Sequence, residues 1–185
     1  MKTIKEIASR LGVMVVIVGT TYGVSAATRE EMQRLDEAYP PGSVVVCHSD
    51  LPGDGKLSLP TTMISRGKVE SKENGHTLFS VSVTWRTPGA KGSDAGDLIL
   101  TFRMNQRSDE KGLYTLIDPE SMAVTMSAAG PAGEEAVLKG FRSRFGGTEN
   151  FAPYSQTEIT EFPAYITRNP GEAPSYCRKE VRDHA

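Results

Sequence analysis

"TLFSVSVTW", Thr77–Trp85, is the stretch that decides the fold. Its side chains alternate between two kinds, with Phe79, Val81, Val83 and Trp85 on one side and Ser80, Ser82 and Thr84 on the other. Successive side chains of a strand point to opposite faces of the sheet. The pattern therefore predicts an antiparallel strand with one face on a core and one face in water.

The same alternation continues on both sides of this strand. "LILTFRM", Leu98–Met104, repeats it after a loop rich in Gly and Asp, which predicts a hairpin with a long tip. Further strand candidates are "SVVVCH", "LSLPTTMIS", "GLYTLI", "SMAVTMS" and "QTEITEFPAYIT". Arg66-Gly67 is interpreted as a turn between strands.

Two helices are expected beside these strands. Thr28 and Glu31 have the spacing of a capping box at the start of a short helix that ends before Pro40. A second helix is predicted over 131–145, with acidic residues in its first turn and basic residues in its last. The sequence thus favours an α+β fold in which two short helices pack on a single antiparallel sheet of about six to seven strands. The alternative is a β-sandwich or a small barrel with peripheral helices.

The N-terminal residues have the pattern of a secretory signal peptide. Three basic residues precede the apolar run Leu11–Gly19, and small residues at Val24 and Ala26 suit cleavage before Ala27. We therefore expect residues 1–26 to be a signal peptide, with a retained membrane anchor as the alternative. Residues 27–177 would form one globular domain, and residues 178–185 a charged flexible tail.

The net charge and the length of the chain limit the classes of possible partners. Removing residues 1–26 leaves 159 residues with 18 Lys and Arg against 22 Asp and Glu, a formal charge of −4. An acidic chain does not indicate nucleic-acid binding, for which basic patches are needed. The expected location is periplasmic or secreted, without membrane association unless the N-terminal segment is retained.

The exported part contains two cysteines, Cys47 and Cys177. An even number of cysteines in an oxidising compartment favours a disulfide. The sequence predicts a bridge that ties the C-terminal segment to an early strand.

The stretch "VVVCHSDLPGDGKLS", Val44–Ser58, contains the residues most suited to chemistry. His48 and Asp50 would share a face of a strand, as an acid/base pair must, whereas Ser49 would face the opposite way. Acidic loops with glycine also suggest a weak calcium site, and its candidate ligands are Asp50, Asp54, Asp94 and Asp97. The same residue types are ordinary turn formers, so a strand that runs into a turn is the preferred interpretation of the stretch.

These residues support three hypotheses about function. The first is a bacterial-type envelope protein that binds another envelope or extracellular protein, as an inhibitor, an immunity-type factor or a small assembly subunit. It would be without catalysis or a cofactor. The second is an envelope hydrolase that uses His48 and Asp50. The third is a protein that binds a small apolar ligand inside a curved sheet.

Overall fold

A computed structural model of the chain describes residues 26–52, 60–87, 97–127 and 129–181. The predicted signal peptide up to residue 25, Asp54, Asp94 and the last four residues of the predicted tail lie outside the described residues. The elements in chain order are α1 (Arg29–Glu37), β1 (Val44–Leu51), β2 (Thr61–Glu73), β3 (His76–Arg86), β4 (Asp97–Ser108), β5 (Gly112–Met126), α2 (Pro131–Phe145), β6 (Glu149–Pro153), a 3-10 turn (Tyr154–Gln156), β7 (Thr157–Ile159), β8 (Tyr165–Thr167) and β9 (Ser175–Lys179).

The nine strands of the described residues form one antiparallel sheet in the order β6-β5-β4-β3-β2-β1-β9-β8-β7. Its two edge strands, β6 and β7, are consecutive in the chain. The four Cα–Cα steps from Pro153 to Thr157 span at most ~15 Å, whereas nine strands laid flat would place the edges ~38 Å apart. The sheet must therefore curl back on itself, and it forms a nearly closed barrel.

The central strands follow the predicted alternation. Val69, Phe79, Val81 and Val83 are buried on the inner face, and Ser80 and Ser82 lie on the outer face. Strands β2 and β3 are joined at Asn74-Gly75, where both residues have positive φ, 53° and 77°. Asn-Gly is the pair that two-residue hairpin turns favour. The predicted turn at Arg66-Gly67 is wrong, since both residues lie inside β2.

Two other strand predictions change in the structure. "GLYTLI" and "SMAVTMS" belong to one long strand, β5, whose pairing with β4 shifts between Thr101 and Arg103. "QTEITEFPAYIT" forms two short strands, β7 and β8, joined by a turn that includes Pro163. The last strand, β9, runs to Lys179 and includes the first two residues of the segment that was predicted to be a tail.

Helix α1 lies on the inner face of the barrel. The predicted capping box is confirmed: Glu31 N–H donates to Thr28 Oγ1, and Thr28 N–H donates to Glu31 Oε2. Buried side chains of this helix and of the segment that follows it pack against Val69, Phe79 and Tyr154. These side chains are Met32, Leu35 and Tyr39. The helix thus covers one part of the barrel interior.

Helix α2 packs on the same face, farther along the long strands. Phe141 stacks on Trp85 with the ring centroids 5.6 Å apart, and Arg142 donates to the carbonyl of Pro119 in β5. Both helices therefore lie where the sequence predicted them, at residues 29–37 and 131–145.

The predicted fold class is wrong in its preferred form. An α+β fold with a single sheet of six to seven strands does not describe nine strands that curl into a barrel. The alternative of a small barrel with two helices does. The difference arises because three short strands near the C-terminus complete the wall, and strands of three residues are too short to show a period of two.

Candidate functional site

A cavity of about 680 Å³ lies between α1 and the inner face of the sheet. Strands β1–β5, β7 and β8 all contribute inward-facing side chains to it, and the turn at Asn74-Gly75 lies at its rim. The volume falls within the range of ~300–1,000 Å³ that is typical of small-molecule sites. The barrel therefore encloses a space large enough for a ligand.

The inner part of the cavity is apolar. The side chains that line it there include Met32, Val45, Phe79, Val81, Met104 and Leu113. None of them carries a charge, and Phe79 and Val81 belong to the buried core. Such a lining favours ligands with apolar surface, because burying that surface contributes ~25 cal/mol per Å².

Gly67 leaves part of this space open. It lies on the inner face of β2, opposite Val45 of β1 and Val81 of β3. A Cβ atom at this position would meet only one neighbouring atom within 4 Å, Cδ1 of Phe79 at 3.6 Å, which is ordinary van der Waals contact. A larger side chain at position 67 would thus extend into the cavity without a clash at its base.

Three tyrosines line the cavity, and their hydroxyl groups differ. Tyr39 Oη donates to the carbonyl of Pro163 at 2.8 Å, and Tyr154 Oη donates to the carbonyl of Asp109 at 2.6 Å. The hydroxyl of Tyr165 has no hydrogen-bond partner among the described residues. Burial raises the pKa of Tyr39 to about 12, and burial together with the neighbouring Tyr39 raises the pKa of Tyr165. Both phenols are therefore neutral at physiological pH, and the Tyr165 hydroxyl can bond to a ligand.

The charged residues of the cavity lie at its rim, on α1 and around the β2–β3 turn. Lys72 Nζ lies 2.6 Å from Asp36 Oδ2, and Arg107 makes two hydrogen bonds to the carboxylate of Glu149, at 2.8 and 3.0 Å. The hydrogen bonds that Arg107 donates to Glu149 raise the pKa of Arg107. Both cations are thus already neutralised by carboxylates of the protein, and Arg107 lies on the outer face of β4, over the ring of Tyr114.

The predicted partners Cys47 and Cys177 form a disulfide between β1 and β9, with an S–S distance of 2.05 Å. The two residues lie directly opposite each other in the antiparallel pair. Cys47 lines the cavity, so the bridge is part of the cavity wall. A disulfide here is compatible with an extracellular or periplasmic location.

Residues at the two ends of helix α1 are hydrogen-bonded to the short strands β7–β9. The backbone N–H of Ala27 donates to Thr157 of β7, and Lys179 of β9 donates to the carbonyl of Ala38 at 2.8 Å. With the bond from Tyr39 to Pro163, these contacts tie β7–β9 to the helix that covers the cavity.

His48 and Asp50 lie together on the outside of the barrel. As predicted, they share a face of β1, with 3.1 Å between His48 Nε2 and Asp50 Oδ1. Thr62 on the neighbouring strand also donates to Asp50. Ser49 faces inward, where its hydroxyl bonds to that of Ser175. The pair is exposed to solvent and lies apart from the cavity.

The described calcium candidates, Asp50 and Asp97, lie on different strands. Strands β1 and β4 are three spacings apart in the sheet, which corresponds to ~14 Å. Both carboxylate oxygens of Asp97 accept hydrogen bonds from Arg86. The structure therefore does not bring these two carboxylates together on one ion.

A group of exposed apolar side chains lies on the outer face of β3–β6, and we call it the outer patch. Its members are Leu78, Leu116, Phe151 and Tyr114. The side chains of Leu116 and Phe151 are 42% and 49% exposed, and Tyr114 packs against Phe151 with the ring centroids 5.0 Å apart. Arg107 lies over the ring of Tyr114 at 3.9 Å.

The residues that shape the cavity are not apparent from local sequence patterns. Gly67 is part of the Arg66-Gly67 pair that favours a turn, and Tyr39 and Tyr165 carry no functional prediction. One signal was present: Asn74-Gly75 between alternating segments marks a hairpin, which would have placed Gly67 in the middle of a strand.

No family model matches the chain, and no curated protein matches it in sequence. Within the described parts of the chain, no helix has both the length and the hydropathy needed to cross a bilayer.

Proposed function

We propose that this protein binds a small, largely apolar molecule in the cavity of its barrel. The observation that supports the proposal is the cavity itself, about 680 Å³ with an uncharged apolar interior and a charged rim. Apolar pockets with a few convergent polar groups are the usual form of small-molecule sites.

The proposed setting is the periplasm or the extracellular space. The signal-peptide pattern of residues 1–26 and the disulfide between Cys47 and Cys177 support it. An exported protein with such a cavity would carry or sequester an apolar compound that dissolves poorly in water. Catalysis is not part of this proposal.

The test uses a variant that fills the cavity. Gly67→Ile adds a branched side chain on the inner face of β2, and Ser82→Ile adds the same side chain on the outer face of β3. N-phenyl-1-naphthylamine, a neutral apolar fluorophore, is titrated into the wild-type protein and into both variants. We expect saturable binding to the wild type and to Ser82→Ile, and at least about tenfold weaker binding to Gly67→Ile, since 1.4 kcal/mol of lost contacts has that effect.

Circular dichroism and thermal unfolding of both variants provide the control for folding. Equal binding of the fluorophore by Gly67→Ile and the wild type would show that the probe does not enter the cavity. A wild-type protein that fails to bind the fluorophore would contradict the proposal.

A second candidate function is the binding of another envelope or extracellular protein. The outer patch favours it, because exposed apolar side chains that cluster on one face often mark interaction sites. Leu116→Ser with Phe151→Ser should then abolish capture of a stoichiometric partner from the native envelope, whereas Gly67→Ile should retain it. Loss of the partner only in Gly67→Ile would instead assign the interaction to the cavity.

A further inference from the structure

We propose that the ligand is uncharged: an apolar chain or ring system with a hydroxyl or carbonyl oxygen that bonds to Tyr165. The inference rests on the proposed function and names the chemical class of the ligand. It excludes fatty acids and other apolar anions.

The first observation is the state of the cations near the cavity. Lys72 on the inner face is paired with Asp36, whereas Arg107 lies over Tyr114 on the outer face and is held by both oxygens of Glu149. An apolar anion in the cavity would have to displace Asp36 from Lys72 to gain a counter-ion. An anion that stayed unpaired in the apolar interior would lose its hydration without compensation, which is strongly unfavourable.

The second observation is the balance of charge around the rim. Asp36 and Glu37 of the α1 helix line the cavity there, and among the described lining residues only Lys72 brings a Lys or Arg side chain on the inner face. Among the described residues, Glu37 has no ion-pair partner. The entrance therefore repels anions and leaves neutral molecules unaffected.

The third observation is the hydroxyl of Tyr165. It is the one tyrosine hydroxyl of the described cavity lining without a hydrogen bond to the protein, since those of Tyr39 and Tyr154 donate to carbonyl oxygens. No fully buried side-chain nitrogen or oxygen of the described residues lacks a partner, so this unpartnered hydroxyl retains accessible surface, and Tyr165 lines the cavity. It can donate to, or accept from, a single neutral oxygen of a ligand.

The experiment compares two ligands that differ in charge. Dodecan-1-ol and dodecanoate have chains of equal length, and at neutral pH only the acid is ionised. Each is used to displace N-phenyl-1-naphthylamine from the wild-type protein. We expect the alcohol to displace the fluorophore at a concentration at least about tenfold lower than the acid.

Two tyrosine variants test whether the ligand oxygen bonds to the hydroxyl of Tyr165. Tyr165→Phe should weaken binding of dodecan-1-ol by about three- to tenfold, the effect of one neutral hydrogen bond. Binding of the fluorophore, whose one polar group is an arylamine N–H and therefore only a weak hydrogen-bonding group, should weaken less than that of the alcohol. Tyr176→Phe removes the same atom from an exposed tyrosine that does not line the cavity, and it should leave the alcohol's affinity unchanged.

The outcomes separate this inference from the proposed function. Displacement by dodecanoate at equal or lower concentration than dodecan-1-ol would overturn the neutral-ligand inference and leave the cavity as a binding site. An unchanged affinity of Tyr165→Phe for the alcohol would overturn the role of Tyr165. Failure of the fluorophore itself to bind would instead count against the proposed function.

Discussion

The barrel has two walls that are built in different ways. The long wall consists of β2–β5, with 13, 11, 12 and 15 residues, and each strand pairs with the next over most of its length. The short wall consists of β7–β9, with only 3, 3 and 5 residues. Continuous ladders and buried alternating side chains stabilise the long wall from within, whereas the short wall depends on its attachments.

Those attachments come from outside the short wall. A pair of three-residue strands has too few contacts to be stable alone. The disulfide joins β9 to β1, and hydrogen bonds from Tyr39 and Lys179 join the short wall to the α1 region. The comparison indicates that one side of a barrel can be self-sufficient while the other is held in place by a few attachments to the rest of the chain.

Removal of the disulfide should cause the largest loss of stability, and the loss should concern mainly the short wall. For a closed loop of 130 residues, Cys47→Ala with Cys177→Ala should lower the free energy of unfolding by up to ~5 kcal/mol. Urea denaturation measures the loss, and hydrogen exchange should rise earlier in β8–β9 than in β3–β4. An equal increase of hydrogen exchange in both walls would contradict the claim that only the short wall depends on the disulfide.

The same cysteines provide a direct check of the bridge. Alkylation without reduction, followed by intact mass measurement, should label neither cysteine. Two labels on the native protein would contradict the disulfide.

Alkaline pH should also reduce stability, because ionisation of Tyr39 removes the hydrogen bond that it donates to Pro163. Burial raises its pKa to about 12 from an ordinary value of 10.0, so the neutral phenol is favoured in the folded state. Its contribution is present in full below pH ~10 and is lost as the pH rises towards 12, because the unfolded chain ionises first. Thermal unfolding across this window should show a smaller decline for Tyr39→Phe than for the wild type. At neutral pH the variant should be less stable by about 1 kcal/mol, for the lost bond to Pro163.

Asp50→Ala should have the smallest effect. The His48–Asp50 pair is exposed on β1 and belongs to none of the attachments of the short wall, and exposed ion pairs contribute ~0–1 kcal/mol. We expect unchanged ligand binding and a change in stability below about 0.5 kcal/mol in urea denaturation. The hydrolase hypothesis predicts instead that this variant loses an enzymatic activity while it keeps its stability. A hydrolase screen of the wild type and the variant separates the two.

The sequence predicted the long wall better than the short one, for a physical reason. Strand β3 alternates over nine residues, Thr77–Trp85, and the capping box at Thr28 and Glu31 is a local interaction. In contrast, β7 and β8 are too short to carry a period. Their position depends on the pairing of β9 with β1, which is a contact between residues 130 positions apart.

The cavity was not predictable for a related reason. A glycine in a strand such as Gly67 is informative only once its neighbours across the sheet are known, here Val45 and Val81. The free hydroxyl of Tyr165 likewise depends on which groups the fold brings near it. Local patterns specify which residues face inward, but not how much space remains between them.

The most direct test of the account is to locate the bound fluorophore by NMR. The protein is labelled at its methionine methyl groups and its tyrosine rings, and nuclear Overhauser contacts to N-phenyl-1-naphthylamine are recorded. We predict contacts to Met104 and to Tyr165, which line the cavity on the long and short walls of the barrel. Contacts only to Tyr114 of the outer patch, or none to any cavity residue, would contradict the claim that the barrel holds the ligand.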